Sequence, residues 1–157
     1  MYKKILVPID GSPTSNLGLN EAIKLAKDQG AKLRLFHLVD EYISLSSADG
    51  VILDTSNLIE SMRQGGRKII EKAEALAKRN GLKPETVMIE SFGGPAADFI
   101  VQQAKKWGAD LIVLGTHGRR GVKRVVMGSD AEQVIRTTRV PVLLVRSKTT
   151  TRASRKP

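Results

Sequence analysis

The sequence predicts an α/β fold, a single domain in which five parallel strands form one doubly wound sheet with helices on both faces. Short apolar runs alternate along the chain with segments of helical spacing, and such alternation is typical of parallel sheets joined by right-handed crossovers. The length of 157 residues suits one domain with a real core. We expect the strand order 3-2-1-4-5.

The first three elements are predicted from apolar spacing. Residues 4–9 (KILVPI) are a short apolar run and predict a buried strand. Residues 14–29 place leucine, isoleucine and alanine close to helical spacing, and Gly30 follows as the predicted C-cap. Residues 32–39 (KLRLFHLV) predict the second strand.

The middle of the chain begins with an irregular segment. Residues 40–57 are rich in serine, aspartate and glycine and are long for a connection in an α/β domain, which makes this segment either a lid or a loop. A helix is predicted over residues 58–80, ending at Gly81, and the third strand over residues 85–91.

The last four elements complete the sheet. A helix is predicted over residues 95–107, and the nearly continuous apolar run at 110–114 predicts a central parallel strand. A short helix over residues 129–138 and a fifth strand over 140–145 follow. Pro141 cannot donate to a ladder, which favours an edge position or the start of the strand.

Composition excludes several classes of protein. Apolar residues make up 41% of the chain, which is typical of a globular protein rather than a disordered one. The absence of cysteine excludes disulfide scaffolds, thiolate metal sites and cysteine nucleophiles. Neither a signal peptide nor an apolar run long enough to span a membrane is present, so we expect a cytoplasmic protein with no membrane partner.

The net charge of +10 is concentrated in two places. One is the glycine-rich stretch after strand four, and the other is the end of the chain, residues 147–157, which we expect to be a basic, disordered tail behind a domain of residues 1–146. The rest of the chain is nearly balanced, which argues against a general nucleic-acid-binding surface. Binding of nucleic acid or of another anionic partner through this tail is the least favoured function, because the tail contains no aromatic residue that would stack on bases.

Two polar turns are predicted to meet at one crevice. In open parallel sheets, ligands bind beyond the carboxyl ends of the strands, at the point where the strand order reverses. With the order proposed, that point lies between strands one and four. The turn after strand one contains Pro8, Ile9 and Asp10, and the turn after strand four begins with Gly115 and Thr116.

The stretch from Gly115 to Ser129 has the features of an anion site. Gly115 and Gly118 let the backbone approach a ligand closely, and Gly128 and Ser129 open a helix whose first amides attract phosphate. Alternatively, the glycines make only a tight turn and Ser129 only caps its helix. The P-loop and the dinucleotide fingerprint are both absent. Four basic residues lie in the sequence between Gly118 and Gly128: Arg119, Arg120, Lys123 and Arg124.

These segments resemble the universal stress protein family, in its nucleotide-binding subgroup. The family pattern G-x2-G-x9-G-[ST] is matched by Gly115, Gly118, Gly128 and Ser129, and the segments KKILVPIDGS, LFHLVDE and VPVLLV match in the same order. The resemblance implies an adenine nucleotide ligand (ATP, ADP or AMP), a role in the stress response, and a homodimer that pairs the strands from Val140 to Val145.

The resemblance also implies the site residues. Asp10 corresponds to the acidic residue that contacts adenosine, and Leu38 to an apolar residue beside adenine. The glycines and Ser129 correspond to the phosphate and ribose cradle. The predicted nucleotide-binding residues are Pro8, Ile9, Asp10, Leu38, Leu114, Gly115, Thr116, His117, Gly118, Arg119, Gly128, Ser129 and Asp130.

Asp130 departs from the family pattern, which has a small apolar residue there. Its carboxylate either complements the helix dipole or bears on the ligand, by repelling a triphosphate or by holding Mg²⁺. No general base is evident, which favours a binding protein without efficient catalysis. The alternative is a slow Mg²⁺-dependent ATPase or nucleotidyl-transfer enzyme. His37 and Trp107 are predicted to be packing residues.

Overall fold

A computed structural model describes residues 1–40, 56–116 and 128–146 of the chain. Within these ranges it contains one parallel sheet of five strands and four helices that alternate with them. The strands are β1 (Lys4–Pro8), β2 (Lys32–Asp40), β3 (Glu85–Ser91), β4 (Leu111–Gly115) and β5 (Val142–Val145). The helices are α1 (Pro13–Gln29), α2 (Ser56–Arg79), α3 (Ala96–Trp107) and α4 (Ser129–Thr137).

The strand order is β3-β2-β1-β4-β5, and every neighbouring pair is parallel. This confirms the predicted fold class and order. β1 lies at the centre, between β2 and β4, so the direction of winding reverses at the β1–β4 pair. The carboxyl ends of these two strands therefore define the switch point of the sheet.

The helices begin and end at residues suited to those positions. Ser12 caps α1 by accepting a hydrogen bond from the Ser15 amide at 3.1 Å, and Pro13 occupies the first helical position. Gly30 ends α1 at φ 63°, and Gly108 ends α3 at φ 69°. Both lie in the left-handed region, where glycine avoids the strain of a Cβ.

The core consists of two apolar layers, one on each face of the sheet. On one face α1 and α2 cover β1, β2 and β4, and on the other α3 and α4 cover the central strands. Alternate strand residues supply the two layers. The first includes Ile5, Val7, Leu33 and Leu35, and the second Leu6, Phe36, Ile112 and Leu114.

β5 begins two residues later than predicted because of Pro141. The proline carbonyl accepts a hydrogen bond from the Ile112 amide at 2.9 Å, but the ring nitrogen has no hydrogen to donate. β5 is an edge strand and Pro141 directly precedes its first residue, so both of the positions that the proline favoured apply. No helix in the three described ranges has both the length and the apolar character needed to cross a membrane.

Three predictions fall on residues that the structure does not describe. They concern residues 41–55, which contain most of the irregular segment, residues 117–127, which contain the basic stretch, and the tail at 147–157.

Candidate functional site

The turn after β1 is organised by hydrogen bonds to the Asp10 side chain and backbone. Asp10 is half-buried, and its Oδ1 accepts a hydrogen bond from the Ser12 amide at 2.9 Å. Gly11, between them, has φ 79°, a conformation that side-chain-bearing residues rarely adopt. The turn therefore presents Asp10 at the carboxyl edge of the sheet while Ser12 begins α1.

Two buried side chains hold the peptide group between Ile9 and Asp10. The Asp10 amide donates to Ser15 Oγ at 3.2 Å, and the Ile9 carbonyl lies 2.7 Å from His37 Nδ1. Because a carbonyl oxygen only accepts, Nδ1 carries the proton in this contact. Ser15 and His37 are 6% and 4% exposed, so neither hydrogen bond competes freely with water.

Gly115, the last residue of β4, lies against the first turn of α1. A Cβ at this position would be 2.5 Å from the Thr14 carbonyl carbon and 2.8 Å from the Ser15 nitrogen. Gly18, one turn further along α1, has the Gly115 nitrogen 3.2 Å from where its own Cβ would stand. The absence of both side chains lets α1 pack directly on β4, and Ser15 thereby contacts both turns.

Thr116 and Gly128, the two residues that flank positions 117–127, are hydrogen-bonded to the sheet and to each other. The Thr116 amide donates to the Val145 carbonyl at 3.0 Å, and the Gly128 amide donates to the Thr116 carbonyl at 2.8 Å. These two bonds hold the start of α4 beside the carboxyl ends of β4 and β5. Thr116 and Gly128, which flank residues 117–127, therefore lie beside the carboxyl end of β4.

The first residues of α4 lie at the surface of the described part of the chain. Gly128 is its N-cap residue and provides no side-chain hydrogen bond, and Ser129 and Asp130 are exposed. The first amides of a helix lack intrahelical partners and carry the positive end of the helix dipole. The helix therefore offers backbone donors, together with the Ser129 hydroxyl, at the edge where the Asp10 turn also lies.

Several predicted site residues have side chains inside the core. Ile9 packs in the α1–α2 layer and Leu114 in the α3–α4 layer, and the Thr116 side chain is 5% exposed. These residues can meet a ligand only through their backbone. Leu38 is half-buried against the α3–α4 layer, and Pro8 is half-buried at the end of β1.

The remaining predicted residues, His117, Gly118 and Arg119, lie outside the described residues. Sequence reasoning missed the roles of Ser15, Gly18 and the His37 contact with Ile9. A weak signal was present, since a glycine inside a helix is disfavoured unless something needs the space.

Among the described residues, one carboxyl group has a pKa clearly below its ordinary value. It belongs to Glu85, which begins β3 at the amino edge of the sheet. Its hydrogen bond with Arg34 is the largest cause and lowers the pKa of the carboxyl. Arg34 in turn stacks 4.5 Å from the centre of the Trp107 ring. Within residues 1–40, 56–116 and 128–146, no three histidine or acidic side chains form a group that would hold a metal ion.

Comparison with known proteins identifies the chain's relatives. The model of the universal stress protein family matches residues 1–146. Universal stress proteins of Methanocaldococcus jannaschii and of Bacillus subtilis (YxiE) are each 36% identical, over 93% of this chain and over 83% and 100% of their own lengths. The solved structure of MJ0577, also from M. jannaschii, superposes with a TM-score of 0.80 at 27% identity and covers 96% of this chain and 99% of its own.

Two similar structures contain adenine nucleotides. One is a universal stress protein in complex with cAMP, with a TM-score of 0.65 at 24% identity, covering 92% of this chain and 97% of its own. The other is from Archaeoglobus fulgidus, in complex with dAMP, with a TM-score of 0.63 at 23% identity, covering 92% and 98%. Both share the fold of this chain.

Proposed function

Because the chain belongs to the universal stress protein family, we propose that it is a regulatory protein of the stress response that binds an adenine nucleotide without efficient catalysis. The observation that carries the proposal is that two suitable elements lie at the carboxyl edge of the sheet. The Asp10 turn follows β1, and Gly128, the N-cap residue of α4, is hydrogen-bonded to Thr116 at the end of β4. One element suits a ribose or base, and the other suits phosphate.

The chemistry of each element supports its part in the proposal. A half-buried carboxylate accepts hydrogen bonds from hydroxyl or amino groups, which assigns Asp10 to the adenosine part of the ligand. The α4 amides and the Ser129 hydroxyl donate to phosphate oxygens. Leu38 offers an apolar surface for adenine, and Gly115 and Thr116 offer backbone only. His117, Gly118 and Arg119 complete the proposed site through the family pattern.

Relatives of the same fold support the ligand class. The proteins of known structure that bind cAMP and dAMP have this same architecture. Their complexes illustrate that the fold accommodates a nucleoside monophosphate with an adenine base. We extend the ligand class to ATP and ADP because the sequence between Thr116 and Gly128 contains four basic residues, and basic side chains form charge-assisted hydrogen bonds with phosphate.

Isothermal titration with ATP, ADP and AMP tests the proposal. We expect the wild type to bind at least one of them, and Asp10→Ala to weaken binding by about tenfold or more, because a charge-assisted hydrogen bond is lost. Asp28→Ala is the matched control, since Asp28 is exposed near the far end of α1. Absence of binding at millimolar nucleotide, or equal losses in the two variants, would contradict the proposal.

The alternative function, an enzyme, is favoured by one specific observation. Asp130, in the first turn of α4, has an exposed carboxylate. In that case Asp130 or Asp10 would hold Mg²⁺ and the protein would hydrolyse ATP slowly. Phosphate release with Mg²⁺ decides between the two. Equal background rates in wild type, Asp10→Ala and Asp130→Ala favour the binding protein, whereas a rate lost in either variant favours the enzyme.

We further propose a homodimer through the strand from Val140 to Val145, and a cytoplasmic location, as the family resemblance implied. The dimer is supported by the edge position of β5 and by the exposure of Leu143, at 36%. An unpaired edge strand with apolar neighbours is a natural surface for strand pairing.

A further inference from the structure

We propose that His37 is a positioning residue, which fixes the Ile9–Asp10 peptide and thereby sets the affinity of the nucleotide site. The inference rests on the proposed function and deepens it, because it names a residue that regulates the site without belonging to its surface. His37 lies on β2, faces the α1–α2 layer and is 4% exposed. A ring so deeply buried does not itself reach a ligand at the carboxyl edge.

Hydrogen bonds at both ends fix the peptide group between Ile9 and Asp10. β1 ends at Pro8, so the Ile9 carbonyl lies beyond the strand. Its direction therefore depends on the groups that hydrogen-bond to it. The Ile9 amide donates to the Phe36 carbonyl at 2.8 Å, and the Ile9 carbonyl accepts from His37 Nδ1 at 2.7 Å. The Asp10 amide donates to Ser15 Oγ. Side-chain donor and acceptor thus fix both ends of one peptide plane, and Asp10 projects directly from it.

Helix α2 leaves space for the imidazole ring of His37. Gly66 lies in the interior of α2, where glycine weakens a helix relative to alanine. A Cβ at Gly66 would be 2.9 Å from His37 Cδ2 and 3.0 Å from Val39 Cγ2, and neither atom belongs to a flexible side chain. The helix therefore has a gap where the ring lies. At the adjacent Gly65, nothing stands within 4 Å of a Cβ.

Together these contacts connect α2 to the site. The ring is held between the Gly66 backbone and the Ile9 carbonyl, so any displacement of the ring changes the direction of the peptide before Asp10. An ordinary core residue at position 37 would fill the same volume without controlling that peptide. The two roles are distinguished by replacing the ring with side chains that keep or remove the donor.

Titration of the purified full chain with ADP tests the proposal. His37→Leu fills the space without a donor, and we expect it to weaken ADP binding by about tenfold, as for loss of one buried hydrogen bond. His37→Asn places an amide N–H near the position of Nδ1, and we expect its affinity to be restored to within about threefold of wild type. Gly66→Ala should also weaken binding, whereas Gly65→Ala should not.

A general loss of stability must be separated from a change at the site. Ile100→Val removes a methyl group from the opposite core layer, and we expect it to lower the unfolding temperature without changing ADP affinity. In the free protein, the Asp10 amide resonance in ¹⁵N–¹H spectra should move in His37→Leu and return towards its wild-type position in His37→Asn. The Ile100 variant should leave that resonance in place.

The outcomes discriminate between the two proposals. If wild type binds ADP, Asp10→Ala weakens it, and His37→Leu binds as tightly as wild type, then the positioning role is wrong and the proposed function stands. Equal losses in the leucine and asparagine variants would also overturn the positioning role, since volume rather than the donor would then decide. If wild type binds no adenine nucleotide, the proposed function fails and with it the effect on affinity.

Discussion

At the scale of single residues, Gly115 shows how a motif glycine acquires a packing role. The sequence pattern assigns Gly115 to a phosphate-binding loop. In the structure, the backbone of α1 at Thr14 and Ser15 lies directly against it. We expect Gly115→Ala to lower the free energy of unfolding by about 3 kcal/mol or more, because neither β4 nor the helix backbone can yield cheaply. Urea unfolding followed by circular dichroism measures the effect.

Gly65→Ala is the control for Gly115→Ala. It adds the same methyl group in open space on α2, and we expect it to raise the unfolding free energy by up to about 1 kcal/mol through helix propensity. A Gly115→Ala variant as stable as wild type would show that α1 does not pack tightly against Gly115.

Glu85 gives a prediction about pH at the amino edge of the sheet. Its pKa is lowered in the folded protein, mainly by the hydrogen bond with Arg34. The pair therefore stabilises the protein above the unfolded-state pKa, and this contribution is lost as pH falls below 4.5 through the lowered folded-state pKa. Since the side chain is about half exposed, at 46%, we expect less than about 1 kcal/mol.

A double-mutant cycle isolates the Glu85–Arg34 contribution. Unfolding free energies of wild type, Glu85→Gln, Arg34→Gln and the double variant, measured at pH 7 and pH 3, give the coupling at each pH. The cycle also removes the stacking of Arg34 on Trp107, which both arginine variants lose. A coupling that persists unchanged at pH 3 would contradict the assignment of the pKa shift to this pair.

At the scale of elements, most of the fold was predictable because the local signals agree with the global arrangement. Apolar runs marked all five strands, and Gly30 and Gly108 marked helix ends. Pro141 indicated an edge strand, since it removes a donor that a central strand would need. Within residues 1–40, 56–116 and 128–146, the differences are one or two residues at the ends of elements, where capping and strand pairing decide.

The candidate site was predictable only as far as its turns. Sequence order and the switch-point rule brought the Asp10 turn and the α4 N-terminus to one edge. The supporting contacts depend on residues that are distant in sequence, and no periodicity reports them. The His37 hydrogen bond to Ile9 crosses from β2 to β1, and Gly66 is explained only once α2 is placed over the ring.

The N-terminus of α4 carries a prediction about the number of phosphates. We expect Asp130→Asn to tighten ATP binding by roughly three- to tenfold and AMP binding by less, because a carboxylate at this position repels added phosphate charge. Helix stability should fall by about 0.5 kcal/mol as the favourable dipole contact is lost. Titrations with both nucleotides, with and without Mg²⁺, measure the change.

Asp28→Asn, at the far end of α1, controls for the altered net charge in the Asp130 experiment. A loss of ATP affinity in Asp130→Asn that appears only with Mg²⁺ would instead assign Asp130 to metal binding. An unchanged ratio of ATP to AMP affinity would show that the side chain lies away from the phosphates.

At the scale of the whole molecule, the two edge strands of the sheet differ in how strongly they oppose pairing with another chain. At the β3 edge, charged pairs stand along the strand, with Arg63 2.8 Å from Glu90 and Arg34 beside Glu85. Charged side chains on an edge strand discourage pairing with another chain. β5, at the other edge, contains only valine and leucine. The asymmetry favours association through β5.

Leu143→Lys tests this association. Lysine on an edge strand opposes pairing with a second copy, and we expect the variant to elute as a single chain of 17.1 kDa while wild type shows twice that mass in light scattering. Because Leu143 is already 36% exposed, the monomer should lose little stability. Leu58→Lys, at a residue that is 47% exposed on α2, is the matched control and should leave the mass unchanged. A wild type that is monomeric at high concentration, or a Leu143→Lys variant that is still dimeric, would show that β5 is not the interface.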